Sequence, residues 1–321
     1  MSEPLRIVFM GTPDFAVPSL EAIHKSCHQL CAVVTVPDRK SGRGLQLTSS
    51  PVKKYAVDNL LPVLEPEKLR DENFINLLKE FNADLFIVVA FRMLPEAVWK
   101  LPKYGTINLH ASLLPQYRGA APINWAIING EKESGLTTFF INDHIDKGNI
   151  IHQLKMSISD SENAGSLHDR MMIRGSELLL QTISGISEGK ITTVDQTTLY
   201  NNSSTLKSAP KLSRELCRIN TDVDVLTANN LVRGLSPYPG AWTEFVSPEG
   251  VKHYAKILSA SPDISIHSFK TGALICDGKK HLKIALIDGF LSLESIQLTS
   301  RKALSAAALL CSFPISDGWY V

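Results

Sequence analysis

Short, uninterrupted apolar runs alternate with amphipathic stretches through the first part of the chain, and the pattern then changes to short strands separated by turns. Residues 6–10, 30–36, 85–90, 105–110 and 136–141 read as strands around a parallel sheet, and the first reads as buried. Between them, residues 14–23, 52–59, 73–81 and 122–129 carry helical periodicity, and a long helix over 166–187 closes the series. Asp14 can cap its helix, and Pro18 is tolerated in the first turn. Strand-helix units in succession predict an α/β architecture around a parallel sheet.

Near residue 192 the composition turns to Thr, Asn, Ser and Pro without period, which marks a linker over 192–208 between a first domain, 1–191, and a second, 209–321. In the second, a helix over 224–233 precedes strands at 243–246, 253–259, 272–276, 282–287 and 291–298, the spacing of a small antiparallel barrel. A chain of 321 residues suits two such domains.

Composition narrows the classes. With 44% hydrophobic and 20% charged residues this is an ordinary globular chain, and a net charge of +1 exerts no global pull toward nucleic acid or membrane. The second half is mildly basic. Five cysteines without a Cys-x-x-Cys pair fit reduced thiols better than a disulfide framework. No signal-peptide pattern opens the chain and no apolar run reaches membrane-spanning length, so a cytoplasmic, soluble protein is expected. Gly11-Thr12-Pro13-Asp14 ends the first strand where a nicotinamide enzyme would carry Gly-x-Gly-x-x-Gly. The nine histidines are scattered, without His-Glu-x-x-His, and no metal site is expected. His28 falls beyond the end of its helix, at the surface.

Chemistry concentrates in residues 105–119. Side chains two apart on a strand share a face, so Asn108 and His110 project together, with Pro115 stopping the strand pairing beyond them. An amide and an imidazole side by side suit an oxygen that becomes negative, which points to acyl-type transfer. Downstream, a strand runs into a loop holding Asp143, His144 and Asp146, and Asp146 reaches His110 if the two strands are neighbours. The plainer alternative is a turn, shaped by Asp146 through local hydrogen bonds and by Gly148 through positive φ. Ser112 offers a Ser/His/Asp triad with His110 and Asp146, but the Gly-x-Ser-x-Gly elbow is missing. Residues 37–44 form a basic, glycine-punctuated loop in which Arg39, Lys40 and Arg43, with Lys53 or Lys54 nearby, either meet phosphate or are simply solvated. Arg118 either lines the pocket or caps the following helix.

In Phe9-Met10-Gly11-Thr12-Pro13-Asp14-Phe15-Ala16, Pro37-Asp38-Arg39, Ser41-Gly42-Arg43-Gly44, Asn108-Leu109-His110-Ala111-Ser112-Leu113-Leu114-Pro115, Arg118-Gly119-Ala120-Ala121-Pro122, Asp143-His144-Ile145-Asp146-Lys147-Gly148 and Arg233-Gly234-Leu235-Ser236-Pro237-Tyr238-Pro239 the chain resembles the methionyl-tRNA formyltransferases. These are folate-dependent formyltransferases, and the similarity runs over essentially the whole length. The resemblance implies a Rossmann-like N-terminal formyltransferase domain with a C-terminal OB-like β-barrel domain that binds tRNA. It implies transfer of the formyl group of 10-formyltetrahydrofolate to the α-amine of initiator methionyl-tRNA, with no metal.

By the same resemblance, Asn108 and His110 are donors to the oxyanion, and Asp146 orients the imidazole and relays the amine's proton. Folate lies against Ser112, Leu113, Leu114 and Pro115, beside Val89 and Phe91, with Asp143 near the pterin. Arg39, Lys40 and Arg43 meet the tRNA. A monomer is the default expectation. The chain departs from the family in two stretches: many relatives carry a glycine where this chain has Ala90-Phe91-Arg92-Met93-Leu94-Pro95, and Leu298-Thr299-Ser300-Arg301-Lys302 replaces the usual Pro-Gly-Lys-Lys. A sugar-nucleotide N-formyltransferase would share the three catalytic groups and the donor but not the acceptor pocket, and a glycinamide ribonucleotide formyltransferase would end near the linker. From another class, a catalytically silent tRNA-binding protein is opposed by the intact Asn108, His110 and Asp146.

Overall fold

The computed structural model describes residues 3–41, 46–202 and 205–321. Its helices are α1 (Val17–His24), α2 (Pro51–Asp58), α3 (Glu72–Glu80), α4 (Glu96–Trp99), α5 (Pro122–Ile128), α6 (Ala164–Ser187), α7 (Val225–Leu235) and α8 (Ala306–Ser312). Two compact units share the chain.

The first unit comprises Met1–Gly119, Ser134–Met156 and His168–Ser208. Its sheet contains β1 (Arg6–Gly11), β2 (Gln29–Val34), β3 (Val63–Leu64), β4 (Leu85–Val89), β5 (Thr106–His110), β6 (Glu133–Phe140) and β7 (Ile150–Ser157), in the order β7-β6-β5-β4-β1-β2-β3. The chain runs outward from β1 to β3 and then returns to β4 on the other side of β1. That reversal makes the carboxyl ends of β1 and β4 a topological switch point, the place where open α/β sheets bind ligands. The apolar runs behave as expected. All of β4 and all of β1 past Arg6 are buried, and Val8, Met10, Phe86 and Val88 pack with Phe74, Leu78 and Val98 from the helices on one face. The helices α2 and α3 start where side chains replace lost backbone partners: Ser50 accepts from the Lys53 N–H and Asp71 from the Phe74 N–H.

Several details differ from the pattern reading. Strand β7 was not anticipated, although its exposure alternates residue by residue after Ile151, as an edge strand's should. His28 is buried, with Nδ1 accepting the Leu5 N–H at 3.2 Å. Burial pushes its pKa below the ordinary histidine value.

In β5 the two-residue period decides everything that follows. Leu109 lies against α6 at Gly175, where an added Cβ would come within 2.8 Å of the leucine side chain. Asn108 and His110 therefore occupy the other face. Parallel pairing sets Val88 beside Asn108, and antiparallel pairing sets His110 beside Thr137 of β6.

The second unit comprises Ala120–Glu133, Ser157–Leu167 and Ala209–Val321. Here β8 (Ala241–Val246), β9 (Lys252–Ile264), β10 (Leu274–Cys276), β11 (Leu282–Ala285), β12 (Gly289–Leu298) and β13 (Leu304–Ser305) form an antiparallel sheet in the order β8-β9-β12-β11-β10, with β13 on β12. Tyr320 bridges to Val246 and to Ala273, joining the two edges into an OB-like barrel around Phe245, Ile257, Ile284, Leu291 and Ile296. The Arg233-Gly234 pair is structural. An added Cβ at Gly234 would sit 2.6 Å from Ile128 of α5, and the buried Arg233 donates to the carbonyls of Ser159 and Glu162.

Candidate active site

His110 is 6% exposed, and its Nε2 lies 2.9 Å from the carbonyl oxygen of Tyr117. A carbonyl only accepts, so Nε2 carries a proton and Nδ1 is the nitrogen left for chemistry. Nδ1 faces Asp146 Oδ2 at 3.9 Å, the two side chains being 7% and 14% exposed. This is an electrostatic contact, longer than a hydrogen bond. The Asn108 amide is half-buried and makes no side-chain hydrogen bond among the described residues, so both of its donors are free for a ligand.

Asp146 is held from several directions. Its Oδ2 accepts the Gly119 N–H at 2.9 Å, and its backbone carbonyl accepts from Arg118 Nε at 3.1 Å and from the Gln196 amide at 2.9 Å. The backbone at Asp146 has φ of 53°, in the left-handed region. The simple turn reading assigned positive φ to Gly148 instead. Glycine is needed there for close approach: an added Cβ would lie 1.6 Å from the Phe140 carbonyl oxygen.

The family model described as "Formyl transferase" matches residues 5–183, and that described as "Formyl transferase, C-terminal domain" matches residues 211–314. The chain belongs to the formyl transferase family. It is 47% identical over 317 residues to the methionyl-tRNA formyltransferase of Bacteroides fragilis (strain YCH46) and 48% identical over 317 residues to that of Bacteroides thetaiotaomicron, covering 99% of this chain and 98% of each relative. The methionyl-tRNA formyltransferase of Flavobacterium johnsoniae is 48% identical over 315 residues, covering 98% of both chains. Among solved structures, the sugar 3N-formyl transferase WlaRD, determined with dTDP and 5-N-formyl-THF, shares the fold with a TM-score of 0.62 at 21% identity, over 94% of this chain and 100% of its own. HypX from Aquifex aeolicus, in complex with tetrahydrofolic acid, does so at 0.63 and 17% identity, over 97% of this chain and 48% of its own.

In this formyltransferase the other residues singled out from sequence fall in distinct settings. Ser112 is fully buried and its hydroxyl donates to the Gln116 carbonyl at 2.6 Å, which leaves no nucleophile for a Ser/His/Asp triad. Leu114 is buried, its N–H donating to Thr137 Oγ1 and its carbonyl accepting from Gln153, and Pro115 is buried beside it. Val89 presents no surface, whereas Leu113 and Phe91 are half-buried, with Arg92 stacked 5.3 Å from the Phe91 ring centre. Asp143 is exposed and lies 2.8 Å from the neighbouring His144 ring.

In the basic segment, Arg39–Ser41 pair antiparallel with Gln46–Thr48. Arg39 is exposed, while Arg43 lies outside the described residues. Lys53 is not one of the loop's spare cations, because it bridges Asp38 and Glu65 at 2.9 Å each. Ala90 and Ser300 hold left-handed backbone, at φ 48° and 60°. No group of three or more His, Cys, Asp or Glu able to hold a metal occurs among the described residues, and no helix there is long and apolar enough to cross a membrane.

The groups that sequence reasoning missed are those that hold the catalytic side chains: the Tyr117 carbonyl on His110, and the Gly119 N–H and Gln196 on the Asp146 loop. The first two are backbone groups with no side-chain signal. Gln196 lies in the segment read as linker, where its burial was invisible.

Proposed function

We propose that this chain transfers the formyl group of 10-formyltetrahydrofolate to the α-amine of initiator methionyl-tRNA. Relatives of that name match it nearly end to end. The observation that carries the mechanism is the one free nitrogen of His110, aimed at a carboxylate 3.9 Å away. His110 and Asn108 are the two donors to the oxygen that becomes negative, and the Asp146 carboxylate beside Nδ1 orients the imidazole.

The amine nitrogen attacks the formyl carbon and the carbonyl electron pair moves to oxygen. This oxyanion then collapses and breaks the bond to the folate nitrogen, which takes up a proton. The amine loses its proton through Asp146. An α-amine has a pKa of about 7.7–8, so no covalent enzyme nucleophile is required. The folate lies against Leu113 and Phe91, with Asp143 near the pterin and with Val89, Ser112, Leu114 and Pro115 shaping the wall from beneath.

Arg39, Lys40 and Arg43 meet phosphates of the tRNA acceptor end. Residues 1–191 carry the groups that touch the reacting atoms, 192–208 connect, and 209–321 hold the acceptor stem. The active form is a cytoplasmic monomer. A formyl-transfer assay with charged initiator and elongator tRNAs tests the reading. Consumption of 10-formyltetrahydrofolate should require methionyl-tRNA and favour the initiator, and should weaken as salt rises. Turnover with an amino-sugar nucleotide in place of tRNA would overturn the assignment.

A further inference from the structure

Gln196 is 1% exposed and sits at the start of a 3-10 turn, Gln196–Leu199. Asp195 caps that turn, and hydrogen bonds from the Thr197 N–H and hydroxyl hold its carboxyl below the usual carboxylate range. The Gln196 amide nitrogen donates to two carbonyls of the catalytic loop, Asp146 at 2.9 Å and Gly148 at 2.8 Å. Its oxygen accepts from Arg118, at 2.6 Å from Nη2 and 3.1 Å from Nε. Arg118 also donates to the Asp146 carbonyl, and its guanidinium lies 5.9 Å from the ring centre of Tyr200. Every polar atom of the Gln196 side chain is thus engaged, and each bond ends on the Asp146 loop or on Arg118, the other side chain that grips it.

Asp146 needs this support. Its left-handed backbone is unfavourable for a non-glycine residue, so the loop keeps that conformation only where surrounding bonds determine it. Were it to relax, Oδ2 would leave its position facing His110 Nδ1.

We infer that Gln196 is a positioning residue for formyl transfer: with Arg118 it clamps the carbonyls of Asp146 and Gly148 and so sets the Asp146 carboxylate against His110. The inference rests on the proposed reaction. Gln196→Met keeps the size of the side chain and removes all of these bonds. A displacement of about 1 Å in a catalytic group costs on the order of 100-fold, so kcat should fall 10- to 100-fold while KM for tRNA and for folate stays within about threefold.

The decisive measurement is a double-mutant cycle with Asp146→Asn. If Gln196 acts through the Asp146 carboxylate, Gln196→Met should lower kcat less than about threefold further in the Asp146→Asn background. Full additivity, as a general structural defect would give, overturns the inference. Gln196→Glu is read in the same cycle should Gln196→Met not fold. It keeps an acceptor for Arg118 but, as a carboxylate, cannot donate to the two carbonyls, and wild-type kcat in this variant likewise overturns the inference. Failure of the underlying reaction is distinguishable, because the unmutated protein would then transfer no formyl group to methionyl-tRNA.

Discussion

Asp146→Asn removes one negative charge while nearly preserving shape, and its effect on formyl transfer follows from the geometry. Unit charges 3.9 Å apart interact by about 4 kcal/mol at an effective dielectric of about 20, and by about 1 kcal/mol in bulk water. The two side chains are 7% and 14% exposed, which places the pair toward the first value. A loss of about 3–4 kcal/mol in stabilising the positive charge that gathers beside the carboxylate at the transition state corresponds to roughly a 100- to 1,000-fold fall in kcat. The carboxamide oxygen can still accept the Gly119 N–H, now 2.9 Å from the carboxylate, so the loop should hold its shape and KM should barely move. Single-turnover formylation of methionyl-tRNA, with KM for tRNA and folate measured separately, reads both quantities. Because the pair is largely buried, the ratio of wild-type to variant rate should also change little with salt, while tRNA binding weakens in both. A variant with kcat within threefold of wild type, or one impaired only in KM, would refute the idea that this carboxylate acts on the transition state.

Three further outcomes follow from contacts already described. Ser112→Ala should keep kcat within about threefold while melting lower, since it loses a buried hydrogen bond worth about 1–3 kcal/mol; abolished turnover in a folded variant would restore a nucleophilic serine. Ala90→Gly should raise thermal stability, because relief of about 1–2 kcal/mol of left-handed strain exceeds the roughly 0.5–1 kcal/mol of added chain entropy, and a lower melting temperature would contradict this. Asp277 accepts the N–H groups of Lys279, Lys280 and His281, which hold its carboxyl far below the usual range. A depressed folded-state pKa contributes stability in full above the unfolded value, and this is lost as pH falls through the folded one. Melts of Asp277→Asn should therefore lie below wild type at pH 7, with the gap narrowing below about pH 4; a pH-independent gap would count against it.

The legible parts of this protein are those governed by local periodicity. The apolar run of β1 had to be buried, and the spacing of Asn108 and His110 in β5 required a shared face. The turn-spaced strands after residue 240 required an antiparallel sheet. Each of these follows from the repeat of a strand or helix, which a dozen residues suffice to display.

What packing alone decided lies where partners are far apart in the chain. Gln196 meets a carbonyl 50 residues away, Gly119 meets a carboxylate 27 residues away, and Tyr320 joins strand edges at Val246 and Ala273. No local period encodes such pairs. The left-handed backbone at Asp146 is the sharpest case. The conformation is unfavourable for the residue on its own, so only the assembled contacts of Arg118, Gly119 and Gln196 select it, and with it the approach of the carboxylate to His110.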